Sequence, residues 1–91
     1  MTDYTDKQGF TLTRISSEAA METPPRHFFD RDGITAYESL VPNTHREARR
    51  IFYVSGKNGD EFGQFPTEVE AKEQARFIAD LPANERSQYE Q

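Results

Sequence analysis

The chain has no cysteine, and that one absence removes disulfide staples, thiolate nucleophiles and the usual structural zinc sites together. It has no apolar run approaching the roughly 20 residues of a membrane span. No basic start followed by an apolar stretch marks a secretory leader, so the expected location is cytoplasmic, away from membranes. Histidine is scarce as well: His27 and His45 are the only two, 18 positions apart and in no catalytic spacing. Ser16, Ser17, Ser39, Ser55 and Ser87 sit in no nucleophile elbow. Gly59 and Gly63 belong to a hairpin, because no strand-to-helix glycine turn with a lysine follows them. Nothing supplies a nucleophile with its base, a proton-transfer pair or a metal, and so small a chain leaves little room for a water-excluding pocket. The expectation is a protein without catalytic residues, cofactor or metal.

Apolar residues are also few, 34% of the chain against roughly 45–50% in ordinary globular proteins, a benchmark that also counts glycine. Ninety-one residues allow one domain with a small core. Seven Phe and four Tyr make that core aromatic, and a partner or a second copy, as in a homodimer, can supplement it. The net charge of −5 is unevenly spread. Residues 1–40 carry seven acids and four bases, residues 41–59 one acid and four bases, and residues 60–91 eight acids and three bases. An acidic molecule with one basic segment is a poor candidate for broad binding to nucleic acid or anionic membranes, and a better one for a basic protein surface.

The strongest local signals lie between Arg49 and Leu81. Ile51, Phe52, Tyr53 and Val54 are strand formers. Asn58-Gly59 then separates them from Glu61-Phe62-Gly63-Gln64-Phe65, which predicts a hairpin with a type I′ turn. Phe62 and Phe65 cannot share a face at strict period two, so either Gly63 marks a bulge or Phe65 is leaving the sheet. Thr67-Glu68-Val69-Glu70 has capping-box spacing and opens a helix over residues 67–81. On it Ala71, Ala75, Phe77, Ile78, Ala79 and Leu81 are read as the apolar side, with Lys72, Glu73, Arg76 and Asp80 opposite and Glu68 spaced to pair with Lys72. Pro82 ends it.

Around this unit the chain is simpler. Residues 1–8 read as a polar, mobile lead-in. Residues 10–15 alternate like a strand, and Ser17 to Met21 suit one helical turn before Pro24-Pro25. Asp30-Arg31-Asp32-Gly33 between two apolar runs predicts a second hairpin with Gly33 at positive φ, and it lacks the later oxygen ligands of a calcium loop. Val41-Pro42-Asn43 is read as a break. After it, a helical turn from Thr44 and a strand reaching back to Arg46 both fit. The outcome is an α+β domain over residues 9–82, a small antiparallel sheet of three to five strands with one amphipathic helix packed on one face, followed by a polar tail at 83–91. The expected core is Phe10, Leu12, Phe28, Ile34, Phe52, Val54, Ala75 and Ile78.

The stretch Phe65-Pro66-Thr67-Glu68-Val69-Glu70-Ala71 resembles a helix start in some type I anti-CRISPR proteins, phage-encoded accessory proteins that inhibit by binding. The resemblance spans about thirty residues and implies a small acidic inhibitor that occupies a surface of a CRISPR surveillance complex or its nuclease, with no catalytic residues. Two sets of contact residues follow. Asp60, Glu61, Glu68, Glu73 and Asp80, with Glu70, Glu85 and Glu90 behind them, would face a basic protein surface. His45, Arg46, Arg49 and Arg50, beside Phe52 and Tyr53, would serve a nucleic-acid-associated or regulatory role instead. Each set also has a plain reading, the acids as a solvated helix face and the bases as a charged strand edge that resists aggregation.

Overall fold

The computed structural model describes residues 3–91. In order the elements are β1 (Tyr4–Thr5), β2 (Thr11–Arg14), α1 (Ser17–Glu22), β3 (Arg26–Arg31), β4 (Ile34–Thr44), β5 (Glu47–Ser55), β6 (Glu61–Phe65), α2 (Glu68–Asp80) and a 3-10 helix (Ala83–Tyr89). The fold is α+β. Its six strands are all antiparallel, in the order β1-β2-β5-β4-β3, with β6 also paired to β5. β5 is the organising strand. One edge pairs with β4 along its length, and the other is shared, β2 taking residues 47–50 and β6 taking residues 52–55.

Both hairpins form, and Gly33 takes the positive φ expected of it, but the β5–β6 turn differs from the sequence reading. The type I′ turn is at Asp32-Gly33, where φ is 52° and 81°. In the loop between β5 and β6 only Gly59 has positive φ, 85°, so Asn58-Gly59 is not a two-residue turn. The Gly56 amide donates to the Asp60 carbonyl at 2.7 Å and the Gly59 amide to the Gly56 carbonyl at 3.2 Å. This is the three-residue loop in which a type I turn ends on a left-handed glycine. The expected break at Val41-Pro42-Asn43 is absent: β4 runs on to Thr44, with Pro42 opposite Ala48 and a register shift just after it. Proline is tolerated there because β3 pairs with β4 only as far as Glu38, which leaves that edge free. β5 starts at Glu47, so the strand reading of the basic segment holds and the helical one does not.

Cross-strand partners share a face, which sorts the sheet cleanly. Phe52, Val54 and Ala36 face α2 and pack with Ile34, Phe62, Ala71, Ala75, Ile78 and Ala79. Three alanines on α2, Ala36 on β4 and Gly63 on β6 leave room for the helix to sit close to the sheet. Gly63 has φ 141°, and the Phe65 ring lies 2.8 Å from where its side chain would be. The register shifts opposite Val54 and Ser55, leaving Phe62 as the extra, bulged residue, so Phe62 reaches the core and Phe65 flanks it. A second bulge at Phe28 lets both Phe28 and Phe29 pack on the same core. Further along this face Thr13 and Ala48 are cross-strand partners and both buried. α1, with its buried Ala20, packs on β4 and β5 at that end and roofs them.

Phe77 lies roughly 145° round the helix from the buried stripe. It is 45% exposed and meets Tyr89 edge-on at 5.1 Å instead of joining the core. The two ends of the chain are also more ordered than their composition predicts. Tyr4–Thr5 pair with β2, adding a strand to those read from the sequence, and Asp6 accepts from the Gln8 and Phe10 amides at 2.9 Å each. Met1 and Thr2, in the expected mobile lead-in, lie outside the described residues. The expected polar tail forms the 3-10 helix, and the Gln91 amide donates to the Glu61 carbonyl at 2.8 Å.

Candidate functional site

Taken as a group, the basic residues do not make a patch. His45 and Arg46 are exposed at the β4–β5 tip. Arg49 and Arg50 are consecutive on a strand and so point to opposite faces. Arg49 bonds Asp6 at 3.0 Å. Arg50 lies on the helix side, where it donates to Thr13 Oγ1 at 2.9 Å and pairs with Glu38 at 3.4 Å. Two of the three arginines are therefore matched inside the fold.

The acidic residues divide as sharply. Glu68 and Asp80, at the two ends of α2, each take an arginine from β3: Arg26 meets Glu68 at 2.5 Å, and Arg31 meets Asp80 at 2.5 Å. The Glu68 carboxyl is held below its usual pKa chiefly by the Arg26 hydrogen bond, and the expected Glu68–Lys72 pair does not form. α2 carries four acids and two bases, and the two β3 arginines bring its surroundings to neutrality. Glu70 and Glu73 are exposed and, among the described residues, form no ion pair. The helix is not an acidic face.

Asp60 and Glu61 belong to a different place, the end of the sheet where the two hairpin tips meet the 3-10 helix. A cleft of about 350 Å³ opens there, lined by Asp32, Lys57, Asp60, Arg86 and Glu90 among others. Lys57 closes on Gly33, which brings the tips together. Arg86 is turned inward: it donates to the backbone carbonyls of Asp32 at 2.9 Å, Ala79 at 3.1 Å and Leu81 at 3.3 Å. The anchored Gln91 amide sets Glu90 beside Asp60, and the Glu90 carboxyl is pushed up from its usual pKa chiefly by the Asp60 charge, with burial and a hydrogen bond to Asp60 adding to it. Among the described residues neither carboxylate forms an ion pair. Around the cleft the three acids Asp32, Asp60 and Glu90 outnumber Lys57 and Arg86, so this end is net negative.

The sheet face away from the helices is covered at Leu12 and Ile51, both buried, and open towards the hairpin tips. Cross-strand pairing lines up His27, Tyr37, Tyr53 and Gln64 in one row, with Asp30, Thr35, Ser55 and Glu61 in the next. Tyr37 and Tyr53 stack with ring centroids 5.2 Å apart, and His27 tilts against Tyr37 at 5.3 Å. Burial, then Tyr37 and Glu61, raise the pKa of the Tyr53 hydroxyl. Sequence reading missed this row, since three positions spread over residues 27–53 share a surface only once the register is known. The period-two alternation of β4 and β5 was the available signal. Among the described residues no group of acids and histidines is arranged to hold a metal ion, and no helix is long and apolar enough to cross a membrane. Comparison with known protein families, with curated proteins and with solved structures finds no match to this chain.

Proposed function

We propose that the chain is a non-enzymatic protein-binding module whose acidic end docks on a basic surface of a partner protein. The observation that carries this is the Asp60–Glu90 pair, two carboxylates that line one cleft and form no ion pair among the described residues, with Asp32 on the same cleft and Glu61 next in the chain to Asp60. Like charges held together by the fold are costly until a cation meets them, and a basic partner supplies several at once. Of the residues read from the sequence, Asp60 and Glu61 carry this contact, while Glu68 and Asp80 serve the fold. The resemblance of Phe65–Ala71 to type I anti-CRISPR proteins names the partner to try first, a basic nucleic-acid-binding complex that the chain would inhibit by occupying its surface.

The test is recovery of the partner by affinity capture from the native host, followed by charge reversal. Asp60, Glu61 and Glu90 replaced together by Lys should abolish capture, and binding of the unaltered chain should weaken as salt rises. His45→Ala with Arg46→Glu, changes at an exposed tip, should leave capture intact. Loss of binding only in the His45/Arg46 variant sinks the proposal in favour of the basic segment.

A further inference from the structure

Three times this chain builds the same small device, an aromatic ring, an arginine over it and a carboxylate holding the arginine. Arg26 lies over Phe28 at 5.5 Å and bonds Glu38 and Glu68. Arg31 lies over Phe29 at 5.6 Å and bonds Asp80. Arg49 lies over Phe10 at 5.2 Å and bonds Asp6. The fourth surface of the same kind is the half-buried Tyr37–Tyr53 stack, and it has the rings and the carboxylates without the cation. One row away on the same face, about 7 Å along the strands, Glu61 stands on the strand next to Tyr53 and Asp30 on the strand next to Tyr37, three strands from Glu61. Among the described residues no arginine or lysine sits over either tyrosine.

We propose that the open part of this sheet face docks an arginine-bearing segment of a partner protein, its guanidinium stacking on Tyr53 and bonding to Glu61. This rests on the reading of a basic protein partner and names the side chain that the partner presents. Arginine suits the site better than lysine, because its planar guanidinium stacks on an aromatic face while its edge bonds a carboxylate. Glu61 joins this face to the acidic end, so one partner can cover both. A single strand of nucleic acid would also stack on the tyrosines, but its phosphates would meet Asp30 and Glu61, where a strand-binding groove carries positive charge.

The experiment is an NMR titration of the full chain with three probes: a blocked tetrapeptide rich in arginine, its lysine counterpart and a short single-stranded oligonucleotide. The arginine peptide should move the Tyr37 and Tyr53 ring signals and bind roughly fivefold to tenfold tighter than the lysine peptide. Tyr53→Leu and Glu61→Gln should each remove most of that preference. Glu61 is exposed, so its substitution leaves the fold intact and keeps the test valid should Tyr53→Leu unfold. Ring signals that respond equally to both peptides, or only to the oligonucleotide, overturn the proposal. If the peptides move only Asp32, Asp60 and Glu90, the arginine site falls and the acidic-end reading stands. If neither peptide perturbs either place, both fall.

Discussion

Arg86 shows how one side chain can join three parts of a small fold. Its guanidinium has five donors in a rigid plane, and here they fan out to the carbonyls that end α2 and to the Asp32 carbonyl at the β3–β4 tip. The helix has no basic residue in its last turn, so Arg86 supplies from outside the positive charge that the helix C-terminus favours. Removing it leaves those carbonyls to water and frees the 3-10 helix. Arg86→Ala should cost about 1–3 kcal/mol in denaturant unfolding. Arg86→Lys should recover only a small part, because a single ammonium cannot reach three diverging carbonyls. Full recovery by lysine would mean that charge alone matters at this position.

At the scale of elements, α2 tests two separate contributions. Thr67 has extended backbone, φ −132° and ψ 155°, and its hydroxyl accepts from the Glu70 amide at 3.3 Å. Only that half of the capping box forms. Thr67→Ala should therefore destabilise by about 1 kcal/mol, while Thr67→Ser should be nearly silent; equal effects from both would show that the cap contributes little. Ile78 is fully buried between Ala75 and Ala79 and the sheet, and Ile78→Ala should cost about 2–4 kcal/mol. Rigid β-strand neighbours cannot collapse into the space, so a change under 1 kcal/mol, read from the midpoint of a denaturant curve, would show that the core repacks freely.

For the molecule as a whole, the balance of charge sets how stability responds to pH. Glu68 has a lowered pKa, so its contribution is present above the ordinary glutamate value and is lost as pH falls through the lowered one. Glu90 works in the opposite sense. Its folded pKa is raised above the ordinary 4.5, so the folded chain holds the proton more tightly and the fold loses stability as pH rises through that interval. Glu90→Gln removes the repulsion from Asp60. It should therefore melt at or above the temperature of the unaltered chain at pH 7, and the gain should vanish below pH 4, where both forms are neutral. A variant that melts lower at pH 7 would show that Glu90 has a stabilising partner.

Much of this architecture was legible in the order of residues. The Thr67 cap, the Asp32-Gly33 turn, the strand-forming run at Ile51–Val54 and the alanine stripe of α2 depend on neighbours within a few positions, and local sterics and hydrogen bonding decide them. Six of the eight expected core residues, Leu12, Ile34, Phe52, Val54, Ala75 and Ile78, are buried, and Phe10 and Phe28 are partly so. The strand Tyr4–Thr5 was beyond such reading, since two polar residues form a strand only when β2 is there to pair with them. Asp60 and Glu61 read as part of an acidic region, yet whether a carboxylate is neutralised depends on which arginine lies across the fold. Arg26 and Arg31 reach Glu68 and Asp80 over separations of 42 and 49 residues, and Arg86 reaches Asp32 over 54. By itself the sequence determined elements, caps and the apolar stripe, because those follow from short-range chemistry. Only the tertiary structure decided which charges remain unmatched and which tyrosines stand together, because register and chain closure alone bring such distant side chains into contact.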